Sequence, residues 1–386
     1  MNRKVQRWKA WITTAILIFS VQVVSQAQII KTTVFNLQKY GWKPPDAIRL
    51  QETDVIERRS ILVDHENRIL VSFVVRERNG LVTRDQPAFS FHIIRFSPDG
   101  QIDLNVSLPT NGWRTSSIYL SESDQIIARV NDSVKILRSA PQADSGRNFW
   151  ETIAPCGLEC RMLQSPSRRT IMLSTSGDEP LLTVIDTSGL SKLTQCARTD
   201  QQAHSITDQF AYSIGARTEK TAKPTIHFYR WPLCDYEHVA EMPLHKLGQI
   251  TVLSDTSFVS DDGGDLELTS SDGQIEFREA MVNHESWDGF WVPIRSSERG
   301  DRIAVNIVTN RGGNRTLDIS SHLTARRISV YDINVGKEVV SISVNARHRY
   351  RYEFDLGPDG HRLAILEDDV VRVVDLGNVS KTGGRP

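Results

Sequence analysis

Short apolar runs of five to eight residues, rich in Val, Ile, Leu and Phe, recur from Ile29 to Leu376 and are separated by clusters of Asp, Asn, Gly, Ser and Pro. No sustained helical period competes with them, so the pattern predicts strands joined by turns. The plainest stretch is the last. Residues 352–356 form one run, Gly357-Pro358-Asp359-Gly360 a turn, 362–366 a second run, Glu367-Asp368-Asp369 a second turn and 370–376 a third run. Pro presets the first corner of such a turn and Gly accepts positive φ at its end. The unit before it has four runs, at 292–295, 302–308, 327–332 and 337–344. Weaker copies begin near Ile250, Ser205, Arg161, Ser116 and Ser60, with second strands predicted at 68–73, 125–130 and 169–173. A repeat of this length is that of a four-stranded blade, and seven starts follow.

Phe96-Ser97-Pro98-Asp99-Gly100, Leu356 to Gly360 with Arg362-Leu363-Ala364 behind it, and Val330-Tyr331-Asp332 with Gly336-Lys337 resemble the β-propeller superfamily, in particular its degenerate WD40-like and TolB-like repeats. The Gly-His and Trp-Asp marks of regular WD40 repeats are missing from their places, and Trp287-Asp288 falls outside the expected one. The resemblance and the repeat together imply an all-β fold, a single β-propeller of about seven four-stranded blades over residues 28–376. The final unit has three strands, and an orphan run, 31–37, stands before the first unit. A ring must join its ends or expose edges, so this N-terminal strand is expected beside Val370 to Leu376 as the missing outer strand.

Ahead of it, Arg3, Lys4, Arg7 and Lys9 precede an apolar run from Ile12 to Val24 and the small residues Ser25 and Ala27. This is the layout of a secretory signal, expected to be cleaved after Ala27. The apolar run is shorter than the roughly 20 residues a bilayer core needs, so no membrane span is expected after cleavage and the destination is periplasm or medium. The residues from Gly377 to Pro386 are short, polar and Gly-rich and read as a disordered tail. The chain has 46 basic and 47 acidic residues, and the leader holds four basic and no acidic ones, which leaves 42 against 47. Such a balance gives no general attraction to nucleic acid.

Motifs for catalysis are missing: there is no Gly-x-Ser-x-Gly, His-Glu-x-x-His, Gly-x-Gly-x-x-Gly or phosphate-cradling loop. No cofactor or metal is expected. The ten histidines are scattered. Asp261-Asp262-Gly263-Gly264-Asp265 has oxygen ligands for calcium, but it matches no EF-hand spacing and reads as a polar turn. Cys156, Cys160, Cys196 and Cys234 lack the paired spacing of a zinc site. Export permits one or two disulfides among them, and the three pairings stay open.

In a propeller the loop from second to third strand and the connector between blades share one face. Segments 76–88, 215–224, 309–325 and 345–351 have these positions. They carry Arg76, Arg78, Arg84, Arg217, Lys220, Lys223, Arg311, Arg315, Arg347, Arg349 and Arg351 against Glu77, Asp85, Glu219 and Asp318. Loops on a rigid scaffold often hold binding function, and Arg grips carboxylates and phosphates through paired donors. The expectation is a non-catalytic binding or scaffold propeller that engages a protein or acidic ligand through this basic face. The alternative is a propeller hydrolase or lyase, marked by carboxylates or histidines with shifted pKa values at the channel mouth.

Overall fold

The computed structural model describes residues 31–40, 60–76, 89–111, 116–139, 148–157, 160–174, 181–189, 191–197, 205–215, 225–230, 237–243, 250–254, 257–261, 265–270, 274–280, 287–310, 323–344, 354–367 and 370–377. Apart from Lys31 these belong to one compact unit, residues 32–386. The expected signal at 1–27 and the expected tail beyond Gly377 lie outside the described residues. Among the described residues no helix is long and apolar enough to cross a membrane.

Among the described residues twenty-eight strands form seven four-stranded sheets. Blade 1 is β2 (Ile61–Val63), β3 (Ile69–Arg76), β4 (Phe89–Phe96) and β5 (Ile102–Thr110). Blade 2 is β6 (Ser117–Leu120), β7 (Ile126–Val130), β8 (Ser133–Ser139) and β9 (Asn148–Pro155), and blade 3 is β10 (Arg161–Gln164), β11 (Thr170–Ser174), β12 (Leu181–Asp186) and β13 (Ser191–Ala197). Blade 4 is β14 (Ser205–Ile206), β15 (Phe210–Gly215), β16 (Thr225–Arg230) and β17 (Glu237–Pro243), and blade 5 is β18 (Ile250–Ser254), β19 (Ser257–Asp261), β20 (Asp265–Ser270) and β21 (Ile275–Ala280). Blade 6 is β22 (Trp287–Ser296), β23 (Arg302–Asn310), β24 (Leu323–Asp332) and β25 (Lys337–Val344). Blade 7 is β26 (Phe354–Leu356), β27 (Arg362–Glu367) and β28 (Val370–Asp375), and its fourth strand is β1 (Lys31–Asn36), bonded to β28. The N-terminal strand therefore closes the ring in the expected place.

Each blade lies in strand order, so its first and fourth strands are edges. Every proline inside a described strand sits on such an edge: Pro109 in β5, Pro155 in β9, Pro243 in β17 and Pro293 in β22. A proline lacks the N–H that an inner strand needs for its second ladder. β22 is longer than the run 292–295 suggests because its pairing with β23 slips between Trp291 and Arg295, around Pro293. A bulge lets one strand continue past the residue that breaks its apolar run.

The core lies between the blades. Ile61, Val63, Val71, Ile94 and Phe96 of blade 1 pack on Ala364, Leu366, Val371 and Val373 of blade 7, with Leu37 buried among them. Similar clusters join blades 1 and 2, 2 and 3, 3 and 4, 5 and 6, and 6 and 7. Phe35 stacks on Phe96 at 5.1 Å. It fills the space beside Gly100, whose φ is +86° and where an added Cβ would stand 2.5 Å from the Phe35 ring.

Candidate functional site

The turns from first to second strand repeat one geometry in five blades. The N–H of Asn67, Asp124, Arg168, Gly300 and Gly360 donates to the carbonyl three residues earlier, at 3.0, 3.0, 2.9, 3.0 and 2.8 Å. All five have positive φ, between 59° and 72°. This is a type I turn closed by a left-handed residue, which suits Gly or Asn and is uncommon for a long side chain such as Arg. Asp124 and Arg168 hold the strained position, and a strained position over-determined by its surroundings is a pointer to a role.

Those side chains meet two others. His65 and Glu298 stand at the second position of the turns in blades 1 and 6. His65 Nδ1 is 2.9 Å from Asp124 Oδ1, and its backbone N–H donates to Asp124 Oδ2 at 3.0 Å. Its Nε2 is 2.8 Å from Glu298 Oε1. Arg168 donates from Nη1 to Asp124 Oδ1 at 3.3 Å and from Nη2 to the Val63 carbonyl at 2.6 Å, and its Nε is 3.9 Å from Glu298 Oε1. The Glu298 N–H donates to the Pro358 carbonyl of blade 7 at 3.0 Å. Turns of blades 1, 2, 3, 6 and 7 are thus tied together, and blades 3 and 6, which are not neighbours, approach across the axis.

Arg168 is buried, Asp124 nearly so and Glu298 about one-quarter exposed, while His65 keeps 38% of its side-chain surface in water. Burial lowers the His65 pKa, but hydrogen bonds to Glu298 and Asp124 outweigh it, and the net shift is upward from 6.5. Beside it Asp64 is fully enclosed; burial raises its pKa against the lowering effect of Arg68, whose Nε is 2.6 Å from Asp64 Oδ2. The arrangement can hold a proton between two carboxylates. It also satisfies most of its own charges, as a tie does.

Two arginines extend the same logic along neighbouring seams. Arg302 of blade 6 donates to the Gly360 carbonyl at 2.8 Å, and Arg362 of blade 7 donates to the Asn67 carbonyl at 2.8 Å. Each starts a second strand and caps the left-handed residue of the next blade's turn. Between blades 3 and 4, Ser167 and Thr170 donate to Asp208 at 2.7 and 2.8 Å.

These residues carry no motif in the sequence. The one signal was the repeated turn with a non-glycine residue in the glycine position. The arginines and lysine expected to bind fare differently: Arg78, Arg84, Arg217, Lys220, Arg311, Arg315, Arg347, Arg349 and Arg351 lie outside the described residues, and Arg76 ends β3. The described strands flanking these segments run antiparallel from the tied turns, so they end on the opposite side of the ring. Cys156 and Cys160 form a disulfide in the connector between blades 2 and 3, with Cα atoms 5.1 Å apart. Arg129 Nη2 donates to the Gly157 carbonyl inside that clip at 2.9 Å. Cys196 lies on β13 and Cys234 outside the described residues. Asp261 ends β19 and Asp265 begins β20, with 262–264 outside the described residues. Among the described residues no group of three or more His, Cys, Asp or Glu is placed to hold a metal.

The seven radial sheets define a β-propeller with degenerate repeats. No protein-family model matches the chain, and no curated protein matches it. Solved propellers are similar in fold. A chain of a mitotic checkpoint complex aligns at 11% identity over 90% of this chain and 95% of its own length, with a TM-score of 0.48. Hsv2 of Kluyveromyces lactis aligns at 13% identity over 69% of this chain and 76% of its own, at 0.41. TolB of Acinetobacter baumannii aligns at 12% identity over 80% and 79%, at 0.37.

Proposed function

We propose that this is an exported binding propeller that engages a protein or acidic ligand through the end opposite the tied turns. The observation that supports this reading is the ionic tie itself: His65, Asp124, Arg168 and Glu298 spend their charges on one another and occupy the axial end where they meet. The described strands that lead toward segments 76–88 and 309–325 end on the other side of the ring, and the four segments read as sharing that face carry eleven basic and four acidic residues in a chain whose overall charge is near balance. Guanidinium groups recognise carboxylates and phosphates with two parallel donors. The basic front and apolar run before Ala27 support secretion to periplasm or medium.

The experiment is isothermal titration with a polyglutamate peptide as the acidic probe, on the mature chain and on a variant with Arg347, Arg349 and Arg351 each changed to Glu. The reading requires binding that weakens with salt and falls at least tenfold in the variant, about 1.4 kcal/mol. Binding that is unaffected by the three reversals rejects it. A second reading, a hydrolase or lyase, draws support from one observation, the histidine held between the carboxylates of Asp124 and Glu298. It requires turnover of an ester, lactone or glycoside that disappears in Asp124→Asn.

A further inference from the structure

Both nitrogens of the His65 ring face carboxylate oxygens, Asp124 Oδ1 at 2.9 Å and Glu298 Oε1 at 2.8 Å. A neutral imidazole has one N–H and one lone pair, so it can donate to only one of them and must turn its lone pair on the other. Nδ1 is hydrogen-bonded to Asp124, while Nε2 lies in ion-pair contact with Glu298 Oε1, which has no aligned hydrogen bond, and only the imidazolium sets positive charge against both carboxylates. The two carboxylates belong to blades 2 and 6, which do not adjoin, and both contacts come from short turns held by their own hydrogen bonds.

We propose that His65 is a proton-operated tie across the propeller axis: as an imidazolium it joins the turns of blades 2 and 6, and on losing its proton it releases one of them and loosens this end of the ring. The tie is independent of the ligand reading above.

The charges around it set the direction of the response. Asp124 faces it from the β6–β7 turn and Glu298 from the β22–β23 turn. Arg168, from the β10–β11 turn, opposes protonation and is itself engaged with both carboxylates. In its own turn, Asp64 is paired with Arg68, which also holds Glu66. From β26, Asp355 accepts the Val63 N–H beneath the turn and faces Arg295 at 3.7 Å. The bonds to Glu298 and Asp124 favour the charged ring over burial, so its pKa is raised in the closed state. A group with a raised folded pKa contributes fully below its unfolded value, near 6.5, and loses that contribution as pH rises through the folded value. The tie is therefore made in acid and slackened in base. Every pH unit by which the closed-state pKa exceeds the open-state one changes the closing equilibrium by about tenfold.

The test is side-chain NMR of the histidines of the full mature chain from pH 5 to 9, with the His65 signals identified by their loss in His65→Gln, together with hydrogen exchange of the turns 121–125 and 297–300. The expected result is an imidazole protonated on both nitrogens that titrates above about 6.5, and turn protection, corrected for intrinsic exchange, that falls through the same pH. His65→Gln abolishes that pH dependence. A ring that titrates at or below the ordinary value, or turn protection whose pH dependence survives in His65→Gln, overturns the proposal. Should that variant fail to fold, Glu298→Gln serves: it must lower the His65 pKa, and an unchanged value is equally fatal.

Discussion

The seam between blades 2 and 3 and the seam between blades 7 and 1 join similar sheets by different means. Across the first the chain is continuous, and the connector is clipped by Cys156–Cys160. Short bonds complete it: Gln164 Nε2 to the Leu120 carbonyl at 2.6 Å and the Cys156 N–H to the Asp132 carbonyl at 2.6 Å. Across the second the chain passes only by way of β1, the strand lent to blade 7, which leads on to β2 of blade 1, so this link holds only while β1 stays paired with β28. There Asp355, buried and 292 positions from its partner, accepts the Val63 N–H at 2.9 Å. Arg362 reaches the Asn67 carbonyl, Phe35 stacks on Phe96, and β1 crosses to complete blade 7. A tether keeps two sheets at high effective concentration, so light contacts suffice. Where the tether runs through a borrowed strand held only by its pairing, buried charge-assisted bonds reinforce it.

The largest effect should come from Asp355→Ala. It strands the Val63 N–H and removes the carboxylate facing Arg295, which costs about 3 kcal/mol in urea unfolding. Replacing Cys156 and Cys160 together by Ser opens a loop of only a few residues, worth about 2 kcal/mol in the same assay. If the double Ser variant loses more than Asp355→Ala, the contrast between the two seams is wrong. Arg362→Ala removes one bond across the closing seam and its partly exposed pair with Asp375, for about 1 kcal/mol, and a value near zero would place the work of closure on Asp355, the apolar cluster and β1.

Much of this architecture was legible in the chain. The inner strands of blades 3, 4 and 5 start at Arg161, Ser205 and Ile250, where the repeat placed them, because a strand flanked by turn residues is a local signal. The closing strand was legible too, since a three-stranded last unit and an orphan first strand need each other. The axial tie was not. His65, Asp124, Arg168 and Glu298 are far apart in sequence, and what unites them is equivalent places in a repeated turn seen around a ring. Periodicity along one strand says nothing of that. Arg168 was masked in a further way, because Arg in a left-handed position contradicts local preference and is held there by contacts distant in sequence, the Val63 carbonyl and the two carboxylates on its side chain and the Thr187 hydroxyl on its carbonyl.

The borrowed strand also bears on how the molecule is made. β1 is the earliest of the described strands to be synthesised, and its partner β28 is the last. Blades 1 to 6 can each collapse from local hairpins as they emerge, but the ring waits for its final residues while β1 stays unpaired. Pairings this distant in sequence form slowly, and an open strand edge in the meantime is a template for a second chain. A chain that stops before Val370 would keep β1 with nothing to pair against, so its fate would be association with its own copies rather than a smaller closed ring.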